Sequence, residues 1–326
     1  MRIVVTGAAG RLGRTLVQRL AADGHRTTGV DLAAPRDRAA GAEHVVLGLD
    51  DRAGLAAAFD GADAVVHLAA MMSWNPAELT DMFRVNVLGT AHVADAAATA
   101  GARLVHASSG EVYPEIKPDY QPLDEEHPRN PASLYGLTKK LDEDIVDFYR
   151  RTRGLRAVVL RFSHFQDAAE LLDERGFFSG PRFFLHRRIE QQRGFGNDAM
   201  VAALLPHAVE GETRLLLSRG SDGTPFRMGI LDTRDLASGV IAAIGTPEAD
   251  GEAIGIGADD SVGFDALVPE MAKRTGLGYA DVALPAPAVH YTTSNRKARD
   301  LLGFVPEWPI DRMLDEAVAA RAARLG

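Results

Sequence analysis

The sequence predicts an α/β fold: a doubly wound parallel sheet with a smaller C-terminal cap. Three observations carry that reading. Short β-branched runs alternate with helical stretches through the first half, a glycine-rich turn joins the first run to the first helix, and the rhythm breaks after Phe162. Strands that alternate with helices imply a parallel sheet covered on both faces. Residues 1–165, completed by about 225–257, are expected to form the sheet unit. Residues 166–224 and 258–326 are expected to form a cap over the carboxyl ends of its strands.

The first element is the run Arg2–Thr6, followed by Gly7-Ala8-Ala9-Gly10-Arg11-Leu12-Gly13 and a helix marked by Leu16, Val17 and Leu20. A strand, a tight glycine turn and a helix N-terminus form an anion site, because unpaired N–H groups and the helix dipole point at the ligand. Gly7 makes the turn, Gly10 lets the backbone approach a pyrophosphate, and Gly13 packs helix on strand. The second strand, 26–30, ends at Asp31, where a carboxylate can grip ribose hydroxyls and repel a 2′-phosphate. NAD is therefore expected over NADP, with Arg36 and Arg38 the two groups that could accept that phosphate. Further strands are expected at 44–47, 64–68, 103–107 and 157–162, which completes an NAD-binding Rossmann sheet.

Hydrophobic residues make up 46% of the 326 and charged residues 25%, with a net charge of −9. This balance suits a globular enzyme with an ample core and argues against general affinity for nucleic acid or anionic membranes. The chain has no cysteine, which excludes disulfides and thiol chemistry. With a strand beginning at Arg2 and no apolar run long enough to span a bilayer, a cytoplasmic protein is expected. The histidines lack metal-ligand spacing, so no metal is expected. His67, His106 and His164, at strand ends, read as buried, hydrogen-bonded imidazoles.

Chemistry concentrates in "SLYGLTKKLDEDIVDFY". Ser133 suits an N-cap, and Leu134, Leu137, Leu141, Ile145 and Phe148 form an apolar stripe at helical spacing, the expected core face. Tyr135 and Lys139, four apart, share a different face and are free to look into a cleft. An ammonium beside a phenol stabilises phenolate and lowers the tyrosine pKa from about 10. Such a tyrosine can take the proton of an alcohol while the carbon gives up hydride to a nicotinamide. Upstream, "LVHASSGEVYPE" is a strand entering a loop with Ser108, Ser109 and Glu111; a hydroxyl there either bonds a reacting oxygen or supports the turn. In the cap, Phe177, Phe178, Phe183, Phe184 and Phe195 read as small-domain core. Arg182, Arg187, Arg188 and Arg193 read as solvated charge, with a substrate phosphate site as the alternative.

Jointly these motifs resemble the extended short-chain dehydrogenases/reductases of the NAD-dependent epimerase/dehydratase family. "TGAAGRLG", Asp31, "HLAA" at 67–70, "VNVLGT" with Asn86, "SSGEVY", "YGLTK", "LRFS" and the closing "KARDLLGFVP" follow family order along nearly the whole chain. The resemblance implies NAD held along Gly7, Gly10, Arg11, Leu12, Gly13, Asp31, Leu49, Leu68, Ala69, Ala70, Asn86, Ser108 and Phe162, with Tyr135 and Lys139 also at the cofactor. It implies Tyr135 as acid/base, Lys139 as holder of the nicotinamide ribose and tuner of Tyr135, and Ser109 as the catalytic hydroxyl. It further implies a homodimer through helices at 79–98 (Leu79, Phe83, Val87, Ala94) and 134–148.

Departures from the family pattern bear on the substrate. After "LRFS" the chain reads His164-Phe165-Gln166-Asp167, where most nucleotide-sugar members carry an asparagine and Gly-Pro. Gly48, with Asp50 nearby, stands where many have an adenine-contacting aspartate, and Ser294 replaces an expected aspartate. A free sugar, sugar acid or other polyol therefore fits as well as a nucleotide sugar. Glu111, His164 and Arg227 are the candidate substrate contacts. Related dehydratases and decarboxylases often carry a glutamate at the place of Glu111, but Gly110 replaces the acid that dehydratases add before it. The expected function is NAD-dependent oxidation of a secondary alcohol of a sugar or nucleotide sugar to a transient ketone, with epimerisation the favoured outcome. The alternative is an NAD-dependent sugar or polyol dehydrogenase or reductase. A dehydratase or decarboxylase, or a non-catalytic NAD-sensing protein, is less favoured.

Overall fold

The β-branched run of β1 (Arg2–Thr6) places Ile3 and Val5 on one face of a sheet and Val4 on the other, all fully buried. In this computed structural model, which describes residues 1–35, 37, 39–114 and 116–326, that strand lies inside a seven-stranded sheet. Arg36 and Arg38 lie outside the described residues.

After β1 come α1 (Arg11–Ala22), β2 (Arg26–Asp31), β3 (Ala42–Val46), α2 (Arg52–Phe59) and β4 (Ala64–His67). Helix α3 (Leu79–Met82) passes through a π-helical stretch (Phe83–Leu88) into α4 (Gly89–Ala100), followed by β5 (Arg103–Ser109), α5 (Leu134–Arg153) and β6 (Ala157–Phe162). Next are β7 (Phe165–Gln166), α6 (Ser179–Phe183), α7 (Leu185–Gly194), α8 (Asp198–Leu204), β8 (Arg214–Arg219), β9 (Arg227–Gly229), β10 (Leu231–Asp232) and α9 (Thr233–Gly245). The chain finishes with β11 (Ala253–Ile256), β12 (Ser261–Gly263), α10 (Phe264–Thr275), β13 (Gly278–Ala283), α11 (Arg296–Leu302) and α12 (Ile310–Leu325).

The sheet order is β11-β6-β5-β4-β1-β2-β3, with every neighbour parallel. The order reverses between β1 and β4, and ligands of such sheets bind outside the carboxyl ends at that switch point. Register sets Thr6 opposite His67, His67 opposite His106, and Ser109 opposite Phe162. The residues that end these strands thus meet along one edge. β3 starts earlier than expected and is largely exposed, as the outermost strand of the sheet. Leu12, Leu16, Leu236 and Val240 cover one face of the sheet, and Leu55, Phe59, Val93 and Val146 the other. A separate cluster built on Phe183, Phe184, Phe264 and Met313 lies in the later part of the chain.

Helix α5 departs from the expectation. Its buried face is Gly136, Thr138, Lys139, Asp142, Glu143 and Val146, whereas Leu137 and Phe148 of the apolar stripe are 36% and 51% exposed. The helix turns its polar face inward because that face carries the site and its support. Leu134, Leu141 and Ile145 of the stripe are half-buried, and Leu137 and Phe148 stay exposed beside Leu79 and Leu88 of the α3–α4 region.

Candidate active site

The turn between β1 and α1 is built by glycine. Gly7 has φ +74°, and a Cβ there would stand 2.7 Å from the Ala69 nitrogen. A Cβ on Gly13 would stand 2.1 Å from the Gly7 oxygen, so only glycine lets α1 sit this close to the turn. Gly10 caps α1 without any side-chain hydrogen bond. The positive end of the helix is thus presented to a cavity of about 740 Å³ that Gly7, Gly10, Arg11, Leu12 and Gly13 help to line. At the end of β2, Asp31 accepts a hydrogen bond from the Ala9 nitrogen at 2.9 Å, which fixes its carboxylate beside the glycine turn. An uncapped helix N-terminus, close-packed glycines and a carboxylate at the next strand end fit a dinucleotide.

Other residues expected along the cofactor divide into two groups. Leu68, Ala70, Ser108 and Phe162 line the cavity. Leu49 packs on Gly89, Ala69 lies against Gly7, and Asn86 is buried, holding both backbone groups of Met71 (2.7 and 2.9 Å) and the Thr138 hydroxyl (2.9 Å). Asn86 therefore shapes the loop after β4 and ties it to α5, without lining the cavity.

Tyr135 and Lys139 lie one turn apart on α5 and both line the cavity. The Lys139 Nζ sits 5.9 Å from the centroid of the Tyr135 ring, donates to the Ala107 carbonyl at 3.0 Å and meets Asp142 Oδ2 at 3.2 Å. The expected depression of the Tyr135 pKa is not what this arrangement produces. Burial pushes the phenol well above its ordinary value, and the negative charges of Glu111 and Asp142 push the same way. Lys139 is occupied by Asp142, whose own pKa is raised by burial while Lys139 pulls it down.

Ser108 is buried and donates to Glu143 Oε1 at 2.6 Å; Glu143 also holds Arg161 and Arg129. The hydroxyl of Ser109 accepts from the Glu111 nitrogen at 3.1 Å and faces the cavity. Glu111 also faces the cavity and accepts from the Ser133 hydroxyl, which at the same time caps α5 by accepting from Gly136 N at 2.9 Å. Burial raises the Glu111 pKa, opposed by hydrogen bonds from Ser133 and Trp74 and by the charge of Arg182.

Beyond these residues the cavity is walled by Trp74, Phe177, Phe178, Phe195, Phe226 and Met228, with Arg182, Arg188 and Gln191 among them. The phenylalanine run of the cap thus splits: Phe183 and Phe184 are core, while Phe177 and Phe195 stand 54% and 49% exposed at the cavity. The arginine run splits as well, because Arg182 and Arg188 line the cavity while Arg187 pairs with Glu190.

His164 lines the cavity between Gln166 (3.1 Å) and Arg182 (2.6 Å), and burial with the Arg182 charge keeps it neutral. Arg227 does not reach the cavity. Side chains alternate along β9, so its neighbours Phe226 and Met228 turn inward while Arg227 donates to the Ser261 carbonyl at 3.0 Å. His67 is satisfied by Thr6 (2.7 Å) and Thr90 (3.0 Å), and burial lowers its pKa to about 3. His106, also fully buried, has no hydrogen-bond partner for either nitrogen among the described residues, contrary to expectation. Asp142 and the cavity-lining Trp74, Gln191, Phe226 and Met228 are among the residues that the sequence did not reveal.

Comparison with known proteins gives concordant results. The model of the NAD dependent epimerase/dehydratase family matches residues 3–167. UDP-glucose 4-epimerase of Mycolicibacterium smegmatis is 30% identical over 94% of each chain. L-arabinose 1-dehydrogenase (NAD(P)(+)) of Haloferax volcanii is 36% identical over 53% of this chain and 70% of its own. A short-chain dehydrogenase/reductase superfamily protein from Agrobacterium tumefaciens, solved with bound NAD, superposes with a TM-score of 0.94 at 49% identity, covering 100% of this chain and 98% of that one.

Proposed function

The chain belongs to the NAD-dependent epimerase/dehydratase family, and we propose that it oxidises a secondary alcohol of a sugar or nucleotide sugar to a transient ketone, with epimerisation as the net outcome. The observation that carries this reading is the meeting of Tyr135, Lys139 and Ser109 on one wall of the cavity that opens from the glycine turn. NAD bound along that turn supplies a hydride acceptor that can return the hydride. Gly7, Gly10, Arg11, Leu12, Gly13 and Asp31 are the residues assigned to hold it. Tyr135 exchanges the proton of the substrate oxygen, and Ser109 donates a hydrogen bond to that oxygen. Lys139 positions the phenol and supplies positive charge. Residues 166–224 and 258–326 are assigned to the cap that encloses the substrate, which keeps water from the reacting carbon.

Epimerisation is favoured by similarity to an epimerase along 94% of the chain, whereas the sugar dehydrogenase matches 53%. Release of the ketone in place of its reduction would make the same site a dehydrogenase. The test is purified protein assayed for bound NAD and for absorbance at the NADH band on adding sugars. Product inverted at one carbon, with no net NADH, supports the epimerase. Stoichiometric NADH and an oxidised product support the dehydrogenase, and neither with any sugar overturns both.

We also infer a homodimer. Leu137 and Phe148 of α5, with the adjoining Leu79 and Leu88, leave apolar side chains on the surface, which a second copy of the same helices can cover. A cytoplasmic site of action is proposed on the reliance on NAD; no helix among the described residues is long and apolar enough to cross a membrane.

A further inference from the structure

Helix α7 carries two consecutive arginines whose fates differ. Successive helical positions point about 100° apart. Arg187 pairs with Glu190, while Arg188 turns into the cavity. There its Nη1 donates to Gln191 Oε1 at 3.0 Å, and its Nε is buried with no partner among the described residues. No carboxylate among the described residues forms an ion pair with it. Burial and the charge of the neighbouring Arg182 together lower its pKa to about 10. A guanidinium held partly out of water without a counter-charge is costly, and the cost is relieved when an anion arrives.

The other cations of the cavity are answered from within the protein. Arg11 is met by Glu170 and Asp167, and Lys139 by Asp142. Arg182 holds His164 and lies in the field of Glu111. One guanidinium is left in excess, at the end of the chamber contributed by α7, among largely aromatic walls. We propose that Arg188 is the anion-binding group of the substrate chamber, and that the substrate is a sugar-type polyol bearing a single carboxylate. A guanidinium matches a planar carboxylate with two parallel hydrogen bonds. A diphosphate bridge brings more negative charge than this one group offsets. The inference rests on the reading that the same cavity oxidises an alcohol, and it narrows the substrate to a sugar acid.

The test uses NAD-loaded protein with glucuronate, galacturonate and gluconate as probes, against glucose, galactose, glucose 6-phosphate and UDP-glucose. Thermal unfolding and NADH absorbance are read in parallel. The sugar acids should raise Tm where the neutral sugars do not. R188Q should weaken their binding roughly 10- to 100-fold, the scale of a charge-assisted pair, and R188K should recover part of it. Ligand-free R188Q should be as stable as wild type or more so, because it removes an uncompensated charge; a purely structural arginine would give a lower Tm. Equal response to neutral sugars, preference for glucose 6-phosphate or UDP-glucose, no carboxylate-dependent shift, or indifference of binding to R188Q each overturns the proposal. A carboxylate-dependent Tm shift with no oxidation or epimerisation would keep the subsite and refute the redox reading. Turnover of neutral sugars unaffected by R188Q would do the reverse.

Discussion

Lys139 Nζ stands 3.2 Å from Oδ2 of Asp142, and both side chains are buried. A lysine that is to lower the pKa of a neighbouring phenol is thus shared with a carboxylate, and Tyr135 remains a neutral phenol with its pKa raised. A neutral phenol can give its proton to a carbonyl oxygen directly. To take one from an alcohol it must first ionise, so oxidation should climb with pH through the neutral range while reduction stays nearly flat. Asp142→Asn removes the opposing charge and keeps the shape. Its pH–rate curve for oxidation should move to lower pH by about one unit, the scale of a nearby charge. An unmoved or upward-shifted curve would show that Asp142 does not act on Tyr135.

Tyr135→Phe deletes only the proton-exchanging oxygen. Turnover should fall by roughly 10³-fold, the middle of the range for a positioned acid/base, while NAD affinity changes little. Lys139→Ala should lower both, since it strips charge from the phenol and the proposed ribose contact at once. Titration of NAD into each variant, set beside steady-state rates, separates the two. Full activity in Tyr135→Phe would overturn the mechanism.

Asp31 has two tasks, because the carboxylate proposed to face the ribose also accepts the Ala9 N–H. Asp31→Ala should therefore weaken NAD by roughly 10- to 100-fold, as expected for losing charged hydrogen bonds worth about 1.5–3 kcal/mol. It should also narrow the gap between NAD and NADP. Calorimetric titration with both cofactors reads this, and wild-type protein that binds the two equally would refute the NAD preference.

What was legible in the sequence was local. The strand, glycine turn and helix of residues 2–22 are contiguous, and Tyr135 and Lys139 are fixed on one face by their spacing. The misreadings came from facts that periodicity does not hold. An apolar stripe such as Leu134–Leu137–Leu141 shows that one face of a helix is apolar, and not whether its own core or another surface covers it. Parity along β9 shows that Arg227 opposes Phe226 and Met228, and not which side is the cavity. Asp142 stands three residues after Lys139, a spacing visible at once, but only the fold shows that both are buried. The lowering of the Tyr135 pKa failed for the same reason, since it depends on how much water and counter-charge surround the pair.

The exposed stripe supplies a test of assembly. Leu137→Glu and Phe148→Glu place charge on half-exposed positions, so the protomer should keep its far-ultraviolet circular dichroism. Light scattering should read a dimer for wild type at micromolar concentration and a monomer for the double variant. A wild-type monomer would refute the proposed homodimer.

Glu111 decides the branch of chemistry. Its carboxylate is half-buried in the cavity wall, held by Ser133 and Trp74 and raised in pKa, which places it where it can move a proton or simply fix the loop after β5. An eliminating enzyme needs an acid to protonate the departing group, and the adjoining position is Gly110, which offers none. The carboxylate is therefore expected to brace the turn at Ser109, whose hydroxyl already accepts the Glu111 N–H. Glu111→Gln keeps an acceptor for the Ser133 hydroxyl and should cost only a few-fold in epimerisation or oxidation, far below the roughly 10²-fold of a lost proton donor. Ser109→Ala, which removes the proposed contact to the substrate oxygen, should cost about 10²-fold or more. Single-turnover kinetics then separates hydride transfer from later steps. A Glu111→Gln enzyme that still transfers hydride from the alcohol but releases no product would assign this residue to elimination or decarboxylation and displace epimerisation as the outcome.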